Sequence, residues 1–348
     1  MQSGFDLNSL TRENVRNLKP YSSARDEYTD SGADMVFLDA NENPFDNGLN
    51  RYPDPQQRIL KQKLAEIKGV AASSILLGNG SDEVLDLIFR AFCEPHQDNV
   101  ITVPPTYGMY KVLSGINAVE NREIFLTEGF TLDIDAILDA SNEHSKAILI
   151  SSPNNPTGNR FKEASIRHLL ENFNGLVVID EAYIDFSSQG SWINRLRDYS
   201  NLIVTQTFSK ALGMAGIRLG VAYASKEIVE VLNKIKPPYN VNALTQQRAM
   251  EQLKNRDQSA SQLIQILEER KKLMSDLPQV PCIQQVFDSD ANFILARVDN
   301  AQKRYDALIE KGIVVRNRSS QPLCENTLRF TVGTPDENAR LMQVLKDL

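Results

Sequence analysis

Thr207-Phe208-Ser209-Lys210-Ala211-Leu212-Gly213-Met214-Ala215-Gly216-Ile217-Arg218-Leu219-Gly220 places a lone lysine just beyond an apolar run, residues 201–206, and ahead of small residues and glycines. The run reads as a strand buried on both faces, the pattern of a parallel sheet covered by helices. A lysine is rarely buried unless it is paired or chemically used, because taking an ammonium out of water is costly. Desolvation and cationic neighbours lower its pKa from about 10.4, toward the neutral amine that attacks carbonyl carbon. A lysine that merely ends a strand and points to water is the commoner case, so the reading depends on its companions.

Those companions occur at other strand ends. Residues 176–183 read as a second buried strand that stops at Asp180 and continues through Glu181 and Ala182 to Tyr183. In open α/β sheets, ligand-binding groups gather at the carboxyl ends of strands, which is where both Asp180 and Lys210 fall. A buried carboxylate there needs a cation, either an arginine or a protonated heterocyclic nitrogen, although an N-cap role for Asp180 stays open. Residues 75–89 run from a strand through Gly78, Asn79 and Gly80 into a helix, with Ser81 or Asp82 expected as the cap. Free amides and the helix dipole make such an N-terminus an anion site. The turn lacks the third glycine of a dinucleotide fingerprint and the Gly-Lys-Ser/Thr of a nucleotide loop. The turn Ser151 to Gly158 follows another apolar run and aims Asn155 at the same crevice. Tyr107, beyond the strand 99–103, offers a flat ring.

Together these motifs resemble the fold type I pyridoxal-phosphate (PLP) aminotransferases, and within them the histidinol-phosphate aminotransferases. The likeness runs from residues 14–25, through Asn41 to Pro44 and Arg51 to Pro55, to Arg316–Pro322 and Leu328–Thr334. It implies an α/β fold with a large domain, a mostly parallel sheet between helices, and a small α+β domain. It implies that Lys210 carries pyridoxal 5'-phosphate covalently and, once free, acts as the base for the substrate α-proton. Asp180 would pair with the ring nitrogen, Asn155 and Tyr183 would bond the ring phenolic oxygen, and Tyr107 would stack on the ring. The cofactor phosphate would take Gly80, Ser81, Asp82, Thr207, Ser209 and Arg218, with Tyr52 reaching in from the second subunit of a homodimer. Asp82 would bind through its backbone, since its carboxylate repels phosphate. Arg329 would fork onto the α-carboxylate of glutamate or 2-oxoglutarate, and Arg316 with Tyr21 would hold the phosphate of histidinol phosphate. The arginine pair Arg316 and Arg318 also reads as a solvated edge-strand cluster, and Arg318 has no assigned role. The implied reaction is a double displacement.

Composition agrees. The chain has 348 residues, 41% hydrophobic and 24% charged, a net charge of -7 and a pI near 5.2, with no basic stretch to suit nucleic acid. Cys93, Cys282 and Cys324 are scattered and odd in number, as expected of reduced thiols in a cytoplasm. His96, His144 and His168 match no metal-ligand spacing and belong on loop or helix surfaces, so no metal is expected. No apolar stretch reaches about 18 residues and the amino terminus is polar, so neither a membrane span nor a signal peptide is expected.

Along the chain, residues 1–34 read as a loosely structured arm with apolar Phe5, Leu7, Leu10 and Leu18 able to pack on a partner. A large PLP-binding domain is expected over 35–240, with Pro237-Pro238 at its edge, and a small domain over 241–348. The latter should open with one long helix, residues 243–273, followed by strands near 283, 292–298, 313–316 and 327–332. Three rivals remain: the same fold acting on aromatic amino acids or decarboxylating an O-phospho amino acid, a nucleotide-dependent oxidoreductase or kinase, and a non-enzymatic PLP-binding regulator. The last would need a DNA-binding domain, and none is visible here.

Overall fold

The computed structural model describes residues 5–21 and 35–348. Ser22 to Arg25, which end the amino-terminal motif, lie outside the described residues. Seven strands form the main sheet: β1 Ile75–Asn79, β2 Asn99–Thr102, β3 Glu120–Glu123, β4 Ser145–Ser151, β5 Leu176–Asp180, β6 Leu202–Thr207 and β7 Leu219–Tyr223. They lie in the order β1-β7-β6-β5-β4-β2-β3, parallel throughout β6-β5-β4-β2-β3, with β7 antiparallel to both of its neighbours. The continuous apolar runs follow from burial on both faces. Along β4 and β5, Ile148, Ile150, Val177 and Ile179 enter one core, while Ala147, Leu149, Leu176 and Val178 enter the other. The helix Ser81–Phe92 packs across β1, β7 and β6 and buries Val84, Leu85, Ile88 and Phe92.

A second sheet, all antiparallel, has the order β10-β11-β9-β8, with β8 Ile283–Val286, β9 Phe293–Val298, β10 Arg316–Asn317 and β11 Thr327–Thr331. Its own core contains Leu273, Ile294, Phe330 and Leu341.

Three expectations change. The stretch 243–273 is two helices, Ala243–Lys254 and Arg256–Asp276, divided at Asn255, whose φ of -110° and ψ of 66° are not helical. Ala249 and Leu253 of the first helix join the main-sheet core, whereas Leu273 of the second joins the smaller one. The division therefore lets one chain segment serve two cores. The strand expected over 313–316 reduces to Arg316–Asn317, because Gly312 turns at φ +73° and the three residues after it find no ladder partner. The amino-terminal segment is not loose where it is described. Short helices at Leu7–Leu10 and Glu13–Asn17 bury Leu10 and Val15, Leu10 within the chain's own core, and Arg12 pairs with Glu94 at 3.0 Å. Phe5 and Leu7 pack there too, and Leu18 stays exposed. The three histidines are exposed and the three cysteines are free and buried. Among the described residues no helix is long and apolar enough to cross a membrane, and no acidic, histidine and cysteine cluster could hold a metal ion.

Candidate active site

Sheet register aligns the site. Ser151 pairs with Asp180 across β4 and β5, and Asp180 pairs with Thr205 across β5 and β6, so three strand ends arrive side by side. Above them a cavity is lined by Ser81, Asp82, Tyr107, Ser151, Asn155, Asp180, Ala182, Tyr183, Thr207, Ser209, Lys210 and Arg218. Of the residues singled out above for a ring and its attached groups, all but Gly80 and Tyr52 line it.

Asp180 forms the cavity floor. It is buried, accepts from Tyr110 Oη at 3.1 Å and from the Ala182 amide at 3.1 Å, and forms no ion pair with any lysine or arginine among the described residues. Burial pushes its carboxyl up from 3.8 to about 6, against the pull of those hydrogen bonds. Lys210 stands at the opening with its Nζ 5.4 Å from the centre of the Tyr183 ring. Its amine is held below the ordinary lysine value by partial burial, then by Arg329 and Arg218, with Asp180 and Asp82 opposing. An acid and a nucleophilic amine thus face one cavity from adjoining strands.

The anion end follows from close backbone approach. Gly80, at φ +79°, precedes the helix Ser81–Phe92, which has no side-chain cap, so its first amides stay free. The expected cap at Ser81 or Asp82 is corrected: Gly80 occupies that position, and the Asp82 carboxylate instead accepts from Tyr107 Oη at 3.0 Å. A Cβ on Gly80 would lie 2.6 Å from Arg218 Nη2, and one on Gly220 would lie 2.1 Å from the Ser81 amide nitrogen. Both glycines are therefore required for the loop, β7 and Arg218 to meet. Arg218 itself adopts φ +54°, rare for a residue with a side chain, and its guanidinium reaches Ser209 Oγ at 3.5 Å and Asp82 at 3.7 Å.

The two asparagines of the turn divide the labour. Asn154 is fully buried and locks the loop, donating to the Pro105 carbonyl and Thr157 Oγ1, both at 2.8 Å, while accepting from Thr106 Oγ1 at 3.0 Å. Asn155 faces the cavity and its Oδ1 accepts from Arg329 Nη1, which ties β11 of the second sheet to the first. Arg329 also lies over the Phe293 ring at 4.9 Å. Burial and then Arg318 lower its pKa to about 10.

Five expected residues do not line the cavity of this chain: Gly80 and Arg329, which adjoin its lining at Ser81 and Asn155, and Arg316, Tyr21 and Tyr52. Arg316 is exposed on β10, directly opposite Arg329. Tyr21 is exposed at the end of a described segment. Tyr52 lines a separate surface hollow with Glu42, Arg51 and Leu244 and stacks on Tyr239 at 4.4 Å. Sequence reading missed Tyr110. The available signal was its spacing, one helical turn beyond Tyr107 at a helix start, which brings the two rings edge to face at 5.6 Å. It also missed the support beneath Glu181, a buried carboxylate that accepts from Ser191 Oγ, the Trp192 amide and Gln206 Nε2.

The family profile described as Aminotransferase class I and II matches residues 28–345. The chain is 61% identical over 343 residues to the histidinol-phosphate aminotransferase of Flavobacterium johnsoniae, covering 98% of each chain. It is 62% identical over 344 residues to that of Christiangramia forsetii, covering 99% of this chain and 98% of the relative. Among solved structures it superposes on the histidinol-phosphate aminotransferase of Clostridium acetobutylicum with a TM-score of 0.80 and 27% identity, over 86% of this chain and 90% of that one. The fold is shared with the Sinorhizobium meliloti histidinol-phosphate aminotransferase in complex with pyridoxal-5'-phosphate, at a TM-score of 0.77 and 22% identity, over 85% and 82% of the two chains.

Proposed function

The chain belongs to the aminotransferase class I and II family, and we propose that it is a histidinol-phosphate aminotransferase that works with pyridoxal 5'-phosphate. One observation carries the chemistry: a buried Asp180 without a cation and a pKa-lowered Lys210 face one cavity, closed at its far end by free helix amides and Arg218. These residues fit the cofactor. A protonated ring nitrogen supplies the cation that Asp180 lacks, and the close packing that Gly80 and Gly220 allow sets the Ser81 end of the helix beside Arg218, an anion site suited to a phosphate.

Lys210 would hold the cofactor through Nζ, Asp180 would bind its ring nitrogen, and Asn155 with Tyr183 its phenolic oxygen. Tyr107 would cover the ring face, and Gly80, Ser81, Asp82, Thr207, Ser209 and Arg218 would take its phosphate. When bound, the cofactor supplies an electron sink for the pair left at the substrate α-carbon after proton loss. Lys210 Nζ, whose lowered pKa leaves more of it neutral, takes that proton as general base and later returns one. Asp180 remains ionised beside a cation and so fixes the ring charge. Arg329 orients the anionic end of either substrate through its guanidinium fork. Glutamate and 2-oxoglutarate exchange the amino group with histidinol phosphate and its keto partner in successive half-reactions, which places the enzyme in histidine biosynthesis.

We also infer a cytoplasmic homodimer. The free, buried cysteines suit a reducing compartment. Leu49, Tyr52 and Leu244 are exposed apolar side chains lining one hollow, and Val36, Leu38 and Phe45, nearby in sequence, are exposed as well.

Coupled turnover of L-histidinol phosphate with 2-oxoglutarate, phenylalanine being the competing donor, tests the assignment. The phosphate ester is expected to be preferred, with ping-pong kinetics, and Lys210→Ala should lose turnover together with the visible absorbance of the bound cofactor. Preference for phenylalanine, or a sequential pattern, would reject it.

A further inference from the structure

The second sheet presents three arginines on one face. Arg316 pairs directly with Arg329 across β10 and β11, and the Arg318 amide donates to the Thr327 carbonyl at 2.9 Å, so the ladder runs on past the strand. Residues two apart on an extended segment share a face, which puts Arg316, Arg318 and Arg329 together. None of the three forms an ion pair with a carboxylate among the described residues, in a chain with 45 acidic residues. Arg318 differs from Arg316 in being half-buried. Its backbone is fixed by the Thr327 bond and by the Gln321 amide donating to its carbonyl at 3.0 Å, yet its buried Nε has no partner, and neither has the buried Nε of Arg329. Half-burying an unpaired guanidinium next to another is unfavourable unless an anion joins them. The charge of Arg318 acts on Arg329 ahead of that of Arg316, and acts on Tyr183 in the cavity wall.

We propose that Arg318 is a specificity-determining residue that, with Arg329 and Arg316, binds the phosphate ester of the amino substrate and distinguishes it from the carboxylate of the amino acceptor. This rests on the histidinol-phosphate reading. In glutamate the carboxylate carbon is bonded to the α-carbon. In the phosphate ester the phosphorus lies beyond a methylene and an oxygen, carries close to two negative charges at neutral pH, and offers three oxygens. One guanidinium fork serves the carboxylate, and the larger, more distant dianion engages a second and a third.

Arg318→Gln and Arg318→Lys holoenzymes, checked for unchanged melting temperature, decide the matter. Arg318→Gln is expected to raise KM for L-histidinol phosphate by about tenfold or more, as for loss of a charge-assisted hydrogen bond, and to raise KM for glutamate by at least about fivefold less than that. Competitive inhibition by inorganic phosphate should weaken in parallel. Arg318→Lys, which keeps the charge and loses the fork, should fall between. Equal changes for both substrates, or none, would overturn the inference for Arg318 alone. Absence of histidinol phosphate turnover in the unmutated enzyme would instead overturn the reading on which it rests.

Discussion

At the scale of single residues, Asp180 shows how a site can be costly to the empty fold and useful to the loaded one. Its folded pKa of about 6 lies above the ordinary 3.8, so the protonated form is favoured by folding. That stability is fully present below the unfolded pKa and is lost as pH rises through about 6, a penalty on the order of 3 kcal/mol above it. A cation held against the carboxylate removes the penalty. The cofactor should therefore raise the melting temperature more near about pH 8 than near about pH 5 at equal saturation. Asp180→Asn should melt no lower than the unmutated apoprotein near about pH 8, and its gain from cofactor should lose the pH dependence; an unchanged dependence in that variant would remove Asp180 from the cation role. Asp180 and Lys210 were legible in sequence because each ends an apolar run with a charge that packing does not explain. Tyr110 was not, because a tyrosine among apolar residues reads as core, and it is core except for the oxygen that reaches Asp180.

Among elements, the decisive contact is between backbone and backbone. β7 runs antiparallel between β1 and β6, and the loop leaving β1 crosses its first residues, with Gly80 bridged to Leu219. Gly220 is paired with Gly78 on one side and Thr207 on the other, so it cannot move aside. A methyl group there would sit 2.1 Å from the Ser81 nitrogen and 2.3 Å from the Gly80 carbonyl carbon. Gly220→Ala is thus expected to push the loop off its position, at a cost of about 1–3 kcal/mol in stability and at least about tenfold in cofactor affinity. Equilibrium dialysis of the cofactor, alongside thermal melts, measures both. Retained affinity would mean that the Ser81 amide does not bind phosphate. The glycines of this turn were visible in sequence, but their reason was not, since the residue that Gly220 accommodates lies 139 positions away and only the sheet order brings it near. The split at Asn255 was hidden for a similar reason: local helical pattern extends through it, and only the existence of two cores requires a break.

For the molecule as a whole, the alternation of apolar runs and helices was enough to give a covered, mostly parallel sheet, but a monomer's sequence does not say which residues serve another copy. Tyr52 lies apart from the cavity of its own chain, stacked on Tyr239 in a hollow bordered by exposed apolar side chains. If a second copy covers that face, each active site takes Lys210 from one chain and Tyr52 from the other, an isologous arrangement that admits a complementation experiment. Tyr52→Ala is expected to weaken cofactor binding and lower turnover by about tenfold or more, and Lys210→Ala to abolish turnover. When the two variants are unfolded, mixed in equal amounts and refolded, random pairing makes half of the dimers hybrid. In each hybrid one site lacks both residues and the other lacks neither, so about a quarter of the unmutated activity should return. Activity no greater than the mean of the two separate preparations would show that Tyr52 does not act across an interface, whatever the sedimentation velocity reports about the dimer.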